Sequence, residues 1–168
     1  MGVLSCPDKI RVERVRFEGR IKEHIKGIRH AVFTCEQQVD PALDLDGQDL
    51  TAVHALVMAG PTPVATGRML DDGHIGRVAV LKPYRGIGAG QMIVNALVGQ
   101  ALENKMPRVF LGAQIHAVSF YERLGFAEYG YPYEEAGISH IHMEKILLTN
   151  KGTNCGNPCY NFQSGHPA

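Results

Sequence analysis

The chain has no apolar run approaching the roughly 20 residues that a membrane-crossing helix needs. Its first fifteen residues, MGVLSCPDKIRVERV, hold no signal-peptide apolar core. Cys6 stands where the myristoylation pattern after Met-Gly calls for Ser or Thr. A cytoplasmic protein without a membrane partner is therefore expected. It also lacks an excess of charge: 17 Lys and Arg balance 17 Asp and Glu. Nucleic-acid binders usually carry a basic face, so no nucleic-acid partner is expected. Metal-site spacing is missing too. Cys6 and Cys35 are isolated, and Cys155 and Cys159 form CGNPC with no second pair of cysteines or histidines. No metal is expected, and the cysteines read as reduced thiols.

What is present is ordinary for a globular domain: 168 residues, 45% apolar and 20% charged. Residues 149–168 contain almost no aliphatic side chain. A single domain over 1–148 is expected, followed by a polar tail that is disordered or tag-like. Within the domain, KIRVERVRF (9–17) reads as a strand. Residues 18–37 read as one amphipathic helix with Ile21, Ile25, Ile28 and Val32 on its apolar face. Residues 39–49 read as loop. Strands over 51–60, 62–70 and 74–81 make a meander. A helix over 91–105, a strand over 107–114 and a helix over 117–126 follow, the last ending at Gly125. Residues 127–148 begin irregularly and end in a strand. Strand, helix and strand around 74–114 imply a parallel crossover. The fold class is mixed α/β.

KPYRGIGAGQ (82–91) joins the strand RVAVL to the helix that follows. A strand, a glycine-rich turn and a helix start make an anion site, because unpaired backbone N–H groups and the helix dipole favour negative charge. Two nucleotide patterns fail here. The P-loop needs Lys-Ser/Thr after its last glycine, and Gly90 is followed by Gln91 and Met92. The dinucleotide fingerprint needs a third glycine at 91 or 93, where Gln91 and Ile93 stand.

Arg85-x-x-Gly88-x-Gly90 resembles the pyrophosphate loop of the GNAT superfamily of acyl-CoA N-acyltransferases. VAV (78–80) and AVSFYERLGF (117–126) are similar, in order, to that superfamily's pantetheine-pairing strand and its later helix. More narrowly, VFTCEQ, DLDGQDLTAVH and EEAGISH resemble the ElaA-like branch, and the likeness covers roughly 20–145.

The resemblance implies a mostly antiparallel central sheet of six or seven strands with a parallel βαβ crossover and flanking helices. It implies acetyl-CoA as co-substrate, held by Val78, Ala79, Val80, Arg85, Gly86, Ile87, Gly88, Ala89, Gly90, Gln91 and Tyr121. It also implies an N-acetyltransferase acting directly on a primary amine. Tyr121 would assist the leaving thiolate, since a phenol holds its proton at neutral pH. Glu135 and His140 are the catalytic candidates on the acceptor side, and Glu36, His54 and Gln114 the substrate-binding ones. Asp46 and Asp49 join Glu36 in an acidic segment suited either to a cationic amine or to solvent. The expected partner is a small-molecule amine. A protein amine, or a non-catalytic acyl-CoA sensor, is the alternative. Homodimers are common in the superfamily, and one is carried as an expectation.

Overall fold

The computed structural model describes residues 9–147. The tail and three of the four cysteines lie outside them. Among the described residues there are seven strands: β1 (Ile10–Val15), β2 (Val53–Ala59), β3 (Thr62–Met69), β4 (Ile75–Val80), β5 (Arg108–Gln114), β6 (Ala127–Glu135) and β7 (Ile138–Ile146). They form two hydrogen-bonded sheets, ordered β1-β2-β3-β4 and β5-β7-β6, and every ladder within them is antiparallel. A parallel bridge between His74 and Phe110 joins the sheets, beside a hydrogen bond from the Phe110 N–H to the Gly73 carbonyl. β4 and β5 are thus the parallel pair of the expected crossover. Past this point they part, so the expected central sheet is split in the middle.

The helices are α1 (Gly19–Arg29), α2 (Pro41–Asp44), α3 (Ala89–Glu103) and α4 (Val118–Arg123). β2 is nearly all apolar because both of its faces are covered. Ala55, Val57 and Ala59 pack toward α3 with Ile93, Val94, Leu97 and Ala101, whereas Leu56 and Met58 pack toward α1 with Ile25, Ile28 and Val32. Gly67 on β3 permits the close approach of α3: a Cβ there would lie 2.5 Å from Ile93 Cγ2.

Three local expectations need correction. The helix expected over 18–37 is α only to Arg29 and continues as a π-helix, His30–Glu36. Such widened turns accompany functional sites, and this one carries Glu36 to the cleft described below. The loop expected over 39–49 contains α2, whose first turn is capped by the Asp40 carboxylate accepting from the Ala42 N–H. Residues 127–135, expected to be irregular, form β6. It pairs with β7 on both sides of a register shift between Tyr129 and Tyr133. Period-2 alternation is lost at that shift, which is why the strand was hidden in sequence. Elsewhere α3 starts two residues before its expected position. α4 ends as expected at Gly125, where the Phe126 N–H bonds the Tyr121 carbonyl.

Candidate active site

A cleft of about 1490 Å³ opens where β4 and β5 part. One wall is the free edge of β4. The Leu81 N–H donates to Val64 of β3, so by alternation Val78 and Val80 turn their N–H groups to the open edge. An extra residue enters β4 opposite Gly67, and Arg77 there takes φ 54°. This bulge is the distortion expected of a strand that offers main-chain donors to a ligand.

After a single 3₁₀ turn at Lys82–Tyr84, the chain passes through Gly86 and Gly88 at φ 79° and 89°. Both conformations are left-handed, which glycine adopts at little cost. Gly88 caps α3. The first intrahelical bond is donated by the Met92 N–H to the Gly88 carbonyl, leaving the N–H groups of Ala89, Gly90 and Gln91 without helical partners. No acidic side chain sits in that first turn. Nothing lies within 4 Å of a Cβ built at Gly86 or Gly88, so a ligand can approach the main chain. Gly86, Gly88, Ala89, Gly90 and Gln91 line the cleft, whereas Ile87 is half exposed and does not.

Arg85 does not point along the helix axis. Its guanidinium grips Glu36 in a two-pronged pair, at 2.6 and 2.8 Å, and its Nε donates to the Val80 carbonyl. Hydrogen bonds from Arg85 hold the Glu36 carboxyl below its usual range. Tyr121 on α4 lines the cleft from the other side, edge-on to Phe120 and Phe126. Burial pushes its phenol up to about 12.

The far wall is the face of β5, β7 and β6. Gln114 exchanges amide hydrogen bonds with Gln37, joining the two walls. His140 lines the cleft, and its Nδ1 lies 2.7 Å from the Ile138 carbonyl. A carbonyl can only accept, so Nδ1 carries a proton, and in the neutral ring the lone pair lies on Nε2. Glu135 stands at the β6–β7 turn and also lines the cleft.

His54 is not brought to the cleft. It is buried between the sheet and α1, stacks on Phe17 and lies 2.9 Å from the Asp49 carbonyl. The alternation of its strand turns it inward. Asp46 and Asp49 form neither a cation pocket nor a solvated loop. Asp49 accepts from Arg29 and Arg68 at 2.8 Å each, and Asp46 pairs with Arg68 and Arg77. Asp44 pairs with Arg29 and Arg77, which balances three carboxylates against three guanidiniums. The result is a neutral, largely buried network that pins residues 41–49 to the sheet.

Sequence reading missed Tyr129, Tyr133, His74 and Gly112 of the cleft lining. Only the β6 register places the two tyrosines, and its signal, YGYPY, is ambiguous without the bulge.

Comparison with known proteins agrees with this geometry. Residues 31–147 match the acetyltransferase (GNAT) domain family. The chain is 38% identical over 130 residues to protein ElaA of Escherichia coli, covering 72% of this chain and 84% of ElaA. It is 34% identical to protein YyaT of Bacillus subtilis, covering 83% of this chain and 97% of that one. The crystal structure of Escherichia coli ElaA superposes with a TM-score of 0.73 at 32% identity, over 82% of this chain and 99% of that one. An acyl-CoA N-acyltransferase from Pseudomonas aeruginosa gives 0.72 at 26% identity, over 82% and 99%. Among the described residues no helix is long and apolar enough to cross a membrane.

Proposed function

The chain belongs to the GNAT acetyltransferase family, and from that premise we propose that it acetylates the primary amine of a small molecule by direct transfer from acetyl-CoA. One observation carries the reading. The open β4 edge, the unpartnered N–H groups at the start of α3 and the Tyr121 side chain all line one cleft. These residues fit the co-substrate. Main-chain donors at Ala89, Gly90 and Gln91, with open space at Gly86 and Gly88, suit a diphosphate. The exposed β4 edge suits an extended amide-bearing arm.

Acetyl-CoA, when bound, supplies the acetyl group as a thioester. The Val78 and Val80 N–H groups can orient and polarise a carbonyl, as preorganised main-chain dipoles do. The Tyr121 phenol, weak as an acid at about 12, keeps its proton and stabilises a forming thiolate by donating a hydrogen bond. The His140 Nε2 lone pair, held ready by the Nδ1–H bond to Ile138, accepts the proton of the attacking amine. Glu135 draws a cationic amine toward the mouth.

Tyr121→Phe tests this arrangement. Turnover, read as thiol release with a competent amine, should fall by about 10² while CoA affinity by calorimetry stays near wild type. Unchanged turnover, or lost CoA binding, contradicts the role.

A further inference from the structure

Four rings on the far wall of the cleft form a continuous stack. His142 lies between Tyr129 and Tyr133, with centroids 5.4 and 4.4 Å apart, and Tyr133 continues to His140 at 5.6 Å. Their planes are within 20°, 25° and 23° of parallel. The stack depends on the β6 bulge. Tyr129 faces His142 and Tyr133 faces His140, yet β6 spends two more residues than β7 between those pairs. Tyr131 is thrown outward, 89% exposed, and Tyr133 takes the inward place beside His140.

A socket on β5 seats Tyr133. A Cβ added to Gly112 would lie 2.1 Å from the Tyr133 hydroxyl, though 3.4 Å from its Cζ. The phenol therefore occupies the space a side chain would fill, with the Cδ2 edge of His140 alongside. His74, stacked on Phe110 at 5.1 Å, adds another ring pair to the lining.

Several of the polar groups around this wall are spent on one another. Of the lining carboxylates, Glu36 is held by Arg85 and Asp44 by Arg29 and Arg77. Glu135 alone has no ionic or hydrogen-bonded partner among the described residues. It lies close enough to bear on both His74 and Tyr133 electrostatically. Arg68 and Arg77 are taken by aspartates, and Gln114 by Gln37, whereas Arg123, which also lines the cleft, has no ionic or hydrogen-bonded partner among the described residues. A polyamine, with several ammoniums, would find one free carboxylate. The faces of His142 and Tyr133 are covered by their neighbours in the stack, so the wall offers mostly ring edges, which pack well against the face of an aromatic body, and Glu135 offers its carboxylate to the ammonium.

Resting on the acetyl-transfer reading above, we propose that the Tyr129–His142–Tyr133–His140 stack, seated by Gly112, is the acceptor-selecting surface. It takes a primary monoamine on a flat aromatic skeleton, an arylalkylamine. Gly112 is a positioning residue that acts through Tyr133.

The test compares 2-phenylethylamine, spermidine, glucosamine and glycine as acceptors by thiol release. It also follows 2-phenylethylamine binding to the CoA-saturated protein by calorimetry. The aromatic amine should lead in kcat/KM by about tenfold or more. Gly112→Ala should raise its KM about tenfold with CoA affinity unchanged. Gly112→Ala combined with Tyr133→Phe should recover most of that loss, because the added methyl then meets only a ring edge. Tyr133→Ala, which adds no atom, should weaken binding even if the alanine at 112 disturbs folding. Preference for any of the other three amines overturns the proposal, as does a KM indifferent to both Gly112→Ala and Tyr133→Ala, or a double variant no better than the single. Binding of 2-phenylethylamine that depends on Tyr133, without thiol release from any amine, overturns acetyl transfer and leaves the surface standing. Neither binding nor turnover of 2-phenylethylamine overturns the surface itself.

Discussion

Glu36 and Arg85 meet across the mouth of the cleft, the carboxylate from the π-helix and the guanidinium from the glycine loop, at 2.6 and 2.8 Å. The pair places a negative charge beside a loop built to attract one. Both partners are exposed, so the pair adds little to stability. Glu36→Gln should leave the unfolding midpoint near wild type and tighten CoA binding by about threefold at low salt, as expected for one charge several ångströms from a polyanion in water. Calorimetry at two salt concentrations checks it. Weaker binding would mean that the pair shapes the loop and does not oppose the ligand.

Gly88 occupies φ 89° with no atom within 4 Å of a Cβ. Gly88→Ala therefore costs conformational strain alone, about 1–2 kcal/mol. Gly88→Glu adds a charge at the α3 N-terminus. The first variant should lower CoA affinity modestly and the second abolish it, both with an intact fold by circular dichroism. Equal affinity in both variants would place the anion elsewhere.

Gly67→Ala drives a methyl to 2.5 Å from Ile93 Cγ2 between β3 and α3. The buried contact leaves no flexible end to yield. A loss of about 1–3 kcal/mol is expected, measured by denaturant unfolding. A neutral result would show that α3 rides more loosely on the sheet than its packing suggests.

Asp49 is buried between Arg29 and Arg68. Asp49→Asn leaves both guanidiniums under-compensated and should destabilise by about 3–5 kcal/mol. The network also fixes Leu43 and Asp44 at the cleft, so KM for the acceptor should rise more than the CoA dissociation constant. Equal changes in both would argue that the network supports the whole domain evenly.

Acidification should lower stability in two stages. Burial holds His54 and His74 below the ordinary histidine value. The unfolded chain then takes up protons first, and stability drops as pH falls below about 6.5. Burial raises Asp49, but hydrogen bonds from Arg29 and Arg68 outweigh it, and Arg68 likewise holds Asp46 down. Their stabilisation is complete above about pH 3.9 and lost below it. Unfolding midpoints from pH 8 to 3 would show both stages, and a flat profile between 7 and 5 would contradict the first.

The glycine loop, the helix after it and the valines of β4 were legible because they are local. Main-chain chemistry at 78–91 depends on residue types and spacing along one stretch. His54 was misjudged because alternation says that a strand residue points inward or outward, not which side the cleft lies on. Asp46 and Asp49 were misjudged because their partners, Arg68 and Arg77 for the first and Arg29 and Arg68 for the second, lie 19 to 31 residues away in sequence.

By itself, then, the sequence determined the family and most of the order of elements, since each is written in contiguous residues. Tertiary structure alone decided which distant side chains share the cleft. The parting of β4 from β5, the slipped register of β6 and the seating of Tyr133 over Gly112 arise from contacts between distant segments. Those contacts select which of several tyrosines and histidines share a face.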